Sequence, residues 1–223
     1  MPALTVDAAA TVAGCALPAD RRAALGLFLR HLAGGERVAR DAARGQACIA
    51  PAGRDQRFLR AQVRQEALHA ALFDGCAWSL GATPFEPDPQ PYRDYSASIE
   101  VLVAGHRYDE SVVATQLVLE ALGDAMLARL DAGLARHGDR LRELRRTIRR
   151  QETAHHRHGL ALIAAWDDDT IPERLRACAL RHRALAAAMI SSGEPAMRPF
   201  ALAPADLEAD LDARLPRWAR GDA

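Results

Sequence analysis

Two Glu-x-x-His pairs, Glu66/His69 and Glu152/His155, are the residues of this chain whose types and spacing best suit chemistry. On an α-helix, residues three apart share a face, so each pair can present a carboxylate and an imidazole to one metal ion. Taken singly, such a pair reads as readily as a surface ion pair or a buried, hydrogen-bonded histidine. Two further glutamates tip the balance. Glu36 lies 30 residues before Glu66, with residue 51 midway, inside Pro51-Ala52-Gly53. Glu120 lies 32 residues before Glu152, with residue 136 midway, beside His137-Gly138. Residues equidistant from the turn of an antiparallel hairpin sit at one height, so all four glutamates fall about 22 Å from their turns at 1.5 Å per residue.

The register agrees with the heights. Leu29, Leu32, Glu36, Ala39 and Ala43 follow helical 3–4 spacing, as do Leu59, Val63, Glu66, His69 and Phe73. Val113, Gln116, Glu120, Gly123 and Leu127 form a third stripe, and Leu141, Ile148, Glu152, His155 and Trp166 a fourth. The charged residues thus interrupt apolar faces. Four buried carboxylates repel one another and lose their hydration, and two divalent cations would cancel their four negative charges. His156 also lies within helical reach of Glu152, but His155 repeats the Glu66/His69 spacing and is preferred; His156 and His158 are read as solvated or supporting groups. Gln116, one turn before Glu120, is read either as a hydrogen-bond partner of a ligand carboxylate or as a partly exposed polar residue.

The order Glu36, Glu66-x-x-His69, Glu120, Glu152-x-x-His155 resembles that of the ferritin-like di-iron carboxylate superfamily, over about residues 20–166. The resemblance implies a four-helix bundle with a long crossover between the second and third helices. It implies two iron ions, or a manganese–iron pair, with Glu36 and Glu120 as terminal ligands, Glu66 and Glu152 as bridging ligands, and His69 and His155 as one imidazole per metal. The second Glu-x-x-His departs from iron-storage ferritins, and the absence of any Cys-x-x-Cys pair departs from rubredoxin-bearing peroxidases. What remains resembles the oxidase and oxygenase branch, which implies O2 as co-substrate, a small organic substrate, and electrons from a separate reductase, a small-molecule donor or the substrate itself. A ferroxidase or peroxide scavenger is the alternative, and a non-enzymatic helical regulator stands third.

The elements that must position these residues are legible as helices. Asp20 is a plausible cap for a helix over about 20–49, broken by Pro51-Ala52-Gly53; a second runs to about Leu80 and stops at Gly81. Pro84, Pro87, Pro89 and Pro91 demand an extended connection. A short helix is expected near 94–105, a third long one over 109–135 with Asp109 as cap, and a fourth over about 139–166. A fifth, C-terminal helix runs to about Ser192, and a short one falls near 205–213. No stretch alternates with period two, so the expectation is an all-α single domain over 1–223, with residues 1–18 as a loose arm. Gly34, Gly35, Gly123 and Gly159 inside helices imply close packing or room beside the site.

Composition narrows the function classes. All 29 basic residues are Arg, which excludes chemistry needing a lysine amine. They balance 29 acidic residues, so no net field selects nucleic acid or an anionic membrane, and Arg142, Arg146, Arg149 and Arg150 read as a solvated face. Cys15, Cys48, Cys76 and Cys178 are widely spaced and read as reduced thiols, and Val12-Ala13-Gly14-Cys15 lacks the flanks of a lipoprotein signal. No apolar run approaches membrane-spanning length, giving a cytoplasmic expectation in which a homodimer is admissible. Tyr92, Tyr95 and Tyr108, near the crossover, are read as packing residues before any proton-transfer role.

Overall fold

The structure is a computed structural model and describes residues 18–85, 88–135, 142–164 and 171–220. It is all-helical, with no strand among the described residues. Helices α1 (Ala19–Ile49) and α2 (Arg54–Ser79) form the most extensively packed pair. Gly53 takes φ +117°, a value closed to most side chains, and so lets the chain reverse between them. Farther from the turn the hairpin is fastened by buried Arg30, whose guanidinium donates to Asp74 at 2.5 Å and to the Ala82 carbonyl at 3.0 Å. Arg37 adds Asp74 and Asp88. At the far end of α2, Gly81 at φ +85° lets Ala82 N–H bond the Ala77 carbonyl and Gly81 N–H that of Trp78, closing the helix in a Schellman motif.

A proline-rich connection leads to α3 (Gln90–Ala104), which packs on α1 and on the later helix over Glu173–Ser192. The next helical stretch is not uniform. It starts as α4 (Tyr108–Val112), widens into a π-helical segment (Val113–Leu119) and resumes as α5 (Glu120–Ala135). The amphipathic stripe expected here is absent: every residue from Glu110 to Leu122 is buried. The reason is the packing of α1, α6 (Arg142–Ile163) and α7 (Glu173–Ser192) around the π segment. This stretch also corrects the reading that no apolar run approaches membrane-spanning length. Tyr108–Ala132 is long and apolar enough by length and composition, and 83% of its most apolar window lies buried inside the molecule.

After α7 come a short α8 (Glu194–Met197) and α9 (Pro204–Arg214). Ion pairs seat α9 on its neighbours: Arg214 to Asp124, Arg129 to Asp210 and Arg183 to Asp212. Leu207, Leu211, Leu215 and Trp218 complete the core beneath it.

Helix positions match the sequence reading to within a few residues, but both expected caps are corrected. Pro18 precedes α1 and Arg107 precedes α4, and neither helix start has a side-chain cap. Asp20 and Asp109 sit in the first turns instead, where a negative charge still favours the helix dipole. Most of the arm over 1–18, the turn at His137-Gly138-Asp139, Leu141, Trp166, Asp167 and Cys15 lie outside the described residues, as does the side chain of Arg142.

Candidate metal centre

The six sequence-derived residues converge in the interior. Glu36 comes from α1, Glu66 and His69 from α2, Glu120 from the first residue of α5, and Glu152 and His155 from α6. None is more than 5% exposed. Their donor atoms form two groups, each within 4.8 Å: Glu36, Glu66, His69 and Glu152; and Glu66, Glu120, Glu152 and His155. Glu66 and Glu152 belong to both groups, while each histidine and each remaining glutamate belongs to one.

Both imidazoles turn Nδ1 inward. His69 Nδ1 lies 3.0 Å from Glu152 Oε1 and 3.2 Å from both Glu36 Oε2 and Glu66 Oε2. His155 Nδ1 lies 2.9 Å from Glu66 Oε1 and 3.3 Å from Glu120 Oε2. Glu66 Oε1 and His155 Nδ1 are thus close, yet neither makes an aligned hydrogen bond, and Glu66 Oε2 and Glu152 Oε1 lack partners as well. Buried polar atoms are almost always satisfied, so this concentration of orphaned carboxylate and imidazole atoms fits a pair of cations. Nitrogen and oxygen donors suit iron and manganese.

Protonation shows the same imbalance without metal. Desolvation pushes Glu36 and Glu120 well above the usual carboxylate range, and the negative charges of Glu152 and Glu66 respectively push them further. Burial would also raise Glu66, but the two imidazoles hold it low. Burial would lower both histidines, yet the carboxylates hold His69 far above its ordinary value and His155 up at about 11. In the absence of metal, imidazolium ions would supply the missing positive charge.

Sequence reasoning missed the next layer, which is built of glutamine. His69 Nε2 lies 2.8 Å from Gln151 Oε1, and His155 Nε2 lies 2.8 Å from Gln65 Oε1. A signal was present: both pairs belong to a longer repeat, Gln65-Glu66-x-x-His69 and Gln151-Glu152-x-x-His155. Both readings of Gln116 are corrected, since it is fully buried and bonds no ligand carboxylate. Gln62 makes that bond, donating to Glu120 Oε1 at 2.6 Å. Gln116 stands one step back, donating to Gln62 and exchanging hydrogen bonds with Gln46. All three amides are fully buried.

His156 and His158 are drawn elsewhere. His156 Nδ1 donates to the Gln116 carbonyl in the π segment, and His158 stacks on Phe58 at 3.8 Å. Two of the helical glycines make room. A Cβ on Gly123 would lie 3.3 Å from Glu152 Oε2, and one on Gly159 would lie 2.6 Å from Gln116 Cβ.

Beside Glu36, Glu120 and Glu152 opens a cavity of about 30 Å³. Its wall is mainly apolar, with Leu32, Ala39, Leu122, Met126 and Met189; His31 and Tyr92 add the titratable groups other than the three glutamates. The Tyr92 hydroxyl and His31 Nδ1 are hydrogen-bonded at 3.0 Å, and burial lowers His31 to about 4, so its imidazole is neutral. Tyr95 instead donates to the Ala114 carbonyl of the π segment.

Comparison with protein-family models and with curated proteins finds no match.

Proposed function

We propose that this protein is a ferritin-like, four-helix di-metal carboxylate oxidase or oxygenase, with iron as the first choice of metal. The observation that carries the reading is the pair of overlapping donor groups sharing Glu66 and Glu152. Glu36 and His69 would complete one metal site, and Glu120 and His155 the other. Such a pair of ions, when bound, supplies the electrons and Lewis acidity that O2 activation needs. The chain's own residues do the rest. Gln62 holds Glu120 by one oxygen, the buried apolar shell excludes bulk water, and the cavity beside the carboxylates admits a small reactant. His31 and Tyr92 offer that cavity its non-ligand polar contacts.

The size of the cavity favours a second reading. About 30 Å³ holds one or two waters or a diatomic molecule, so peroxide or O2 reduction without an organic substrate fits the space as it stands. Anaerobic loading with Fe(II), followed by rapid mixing with O2 or peroxide, decides between them. Oxidation accelerated by a small apolar compound supports the oxygenase. Peroxide turnover indifferent to any such compound supports the scavenger, and a fully metallated, reduced protein inert to both refutes each.

A further inference from the structure

Tyr92 is a wall between two spaces. Its side chain lines the cavity of about 30 Å³ beside Glu36, Glu120 and Glu152, and it also lines an outer pocket of about 350 Å³ between α1 and α3. The inner space is too small for an organic molecule as it stands, and the outer one is not. Two features hold the ring in place. Its hydroxyl is hydrogen-bonded to His31 Nδ1, and Gly34 leaves the space it fills, since a Cβ there would lie 3.0 Å from Tyr92 Cε1. Tyr92 stands in the first turn of α3, which follows the proline-rich connection and has no side-chain cap. Moving the ring therefore disturbs a helix end rather than a helix middle.

Charge in the outer pocket defines what fits there. Arg37, Arg40 and Arg93 line it together with Asp41, Asp88 and Glu100. Arg37 is taken by Asp74 and Asp88, and Arg40 by Asp41. Arg93 donates to neutral oxygens, those of the Asp88 carbonyl and the Gln90 side-chain amide. Among the described residues no carboxylate pairs with Arg93 and no cation pairs with Glu100. The pocket thus presents one uncompensated positive charge and one uncompensated negative charge. The two residues are seven apart on α3, so they share a face about 10 Å apart along the axis. Apolar Val38 and Ala97 line the same pocket. We propose that this pocket binds the organic substrate, a small zwitterion whose carboxylate meets Arg93, whose ammonium meets Glu100, and whose carbon chain crosses Val38 and Ala97. Tyr92 is the partition that this substrate displaces to reach the metal cavity. The carboxylate end lies nearer the partition, because Arg93 directly follows Tyr92 and Glu100 lies two turns on. A divided site also brings a 30 Å³ cavity into accord with an organic substrate. This rests on the di-metal reading given above.

The test uses the full chain and three probes of one chain length: ε-aminocaproate, caproate and hexylamine. NMR titration of the metal-free protein should show ε-aminocaproate binding roughly fivefold more tightly than either singly charged probe, the upper end for one exposed ion pair. Arg93→Gln should weaken ε-aminocaproate and caproate by that factor and leave hexylamine unchanged. Glu100→Gln should weaken ε-aminocaproate and hexylamine and leave caproate unchanged. Equal affinity for the three probes, no binding of ε-aminocaproate at millimolar concentration, or a variant that weakens all three alike overturns the site. The partition is read in protein loaded with Mn(II), whose paramagnetism broadens nearby probe resonances. The methylene beside the carboxylate should broaden more than the one beside the ammonium. Tyr92→Phe should match the parent, and Tyr92→Ala should increase the broadening, with Tyr92→Leu in its place if the alanine variant does not fold. Uniform broadening along the probe, or no increase in the variants without the ring, overturns the partition. If Mn(II) does not bind, the di-metal reading fails separately, and the titrations of metal-free protein still uphold or refute the zwitterion site.

Discussion

His155 and His182 are both shut away from solvent, yet their surroundings differ in kind. His182, on α7, is fully satisfied: Nδ1 donates to the Cys178 carbonyl at 2.8 Å, Nε2 meets Ser98 Oγ at 3.0 Å, and Tyr95 packs edge-on against the ring. Burial lowers it to about 4, so it sits as a neutral imidazole. His155 has one satisfied nitrogen and one that faces two carboxylates without an aligned bond, and those carboxylates hold it up at about 11. Two histidines of equal burial thus declare different roles. Complete hydrogen bonding suits a structural group, whereas a ring nitrogen aimed into crowded carboxylates suits the ligand role proposed above.

The sharpest way to break the comparison is to remove a shared carboxylate. Glu66→Ala should abolish binding of both metal ions, taking the content from two per chain to near none by elemental analysis. His182→Ala should leave the metal content unchanged, while chemical denaturation shows a loss of about 1–3 kcal/mol from orphaned partners. Equal metal loss in the two variants would erase the distinction.

The clusters should also titrate with opposite sign in metal-free protein. His182 has a folded pKa below its unfolded value of about 6.5, so its contribution is complete above pH 6.5 and is lost as pH falls toward 4. The loss is on the order of 3 kcal/mol. His155 is raised, so its contribution is complete below 6.5 and disappears as pH climbs through about 11. Denaturation against pH, with and without His182→Ala, should show the acid limb flatten in the variant alone.

Two smaller effects probe the wall between the regions. Gly159→Ala would drive a methyl into the Gln116 backbone, and overpacking of this kind costs about 1–3 kcal/mol, readable as a lower melting temperature. His156→Ala removes one hydrogen bond to the Gln116 carbonyl and should cost about 1 kcal/mol while metal content stays at its parent value. If His156→Ala empties the site and His155→Ala does not, the ligand register on α6 is wrong.

Much of this architecture was legible because helices announce themselves locally. The turn at Pro51-Ala52-Gly53, the stop at Gly81 and the 3–4 spacing around Glu36 and Glu66 are all short-range signals. The six acidic and imidazole residues were equally legible, since charge on an apolar stripe needs an explanation. The glutamine layer was not. Gln46 and Gln62 lie on the stripes of α1 and α2, but an uncharged amide can sit inside or outside, and only the neighbours across the core decide. The crossed contacts of Gln65 and Gln151 need the distance between α2 and α6, which no local pattern holds. The π segment was hidden for a related reason: Val113–Leu119 is apolar enough to be helical in either winding.

That segment has a further consequence. A helix bonded i to i+5 spends one more residue per turn than one bonded i to i+4, so Val113–Leu119 acts as a built-in insertion of about one residue. The helical rod therefore holds two phases. Tyr108–Val112 is aligned with α7, where Cys178 Sγ meets the Glu110 carbonyl, and Glu120 onward is aligned with the carboxylates. Winding the same residues as regular α-helix would rotate one phase by about 100° against the other, and either the α7 contact or Glu120 would lose its place. Deleting a single residue from the wide turn would instead leave an unbroken α-helix with both phases where they stand.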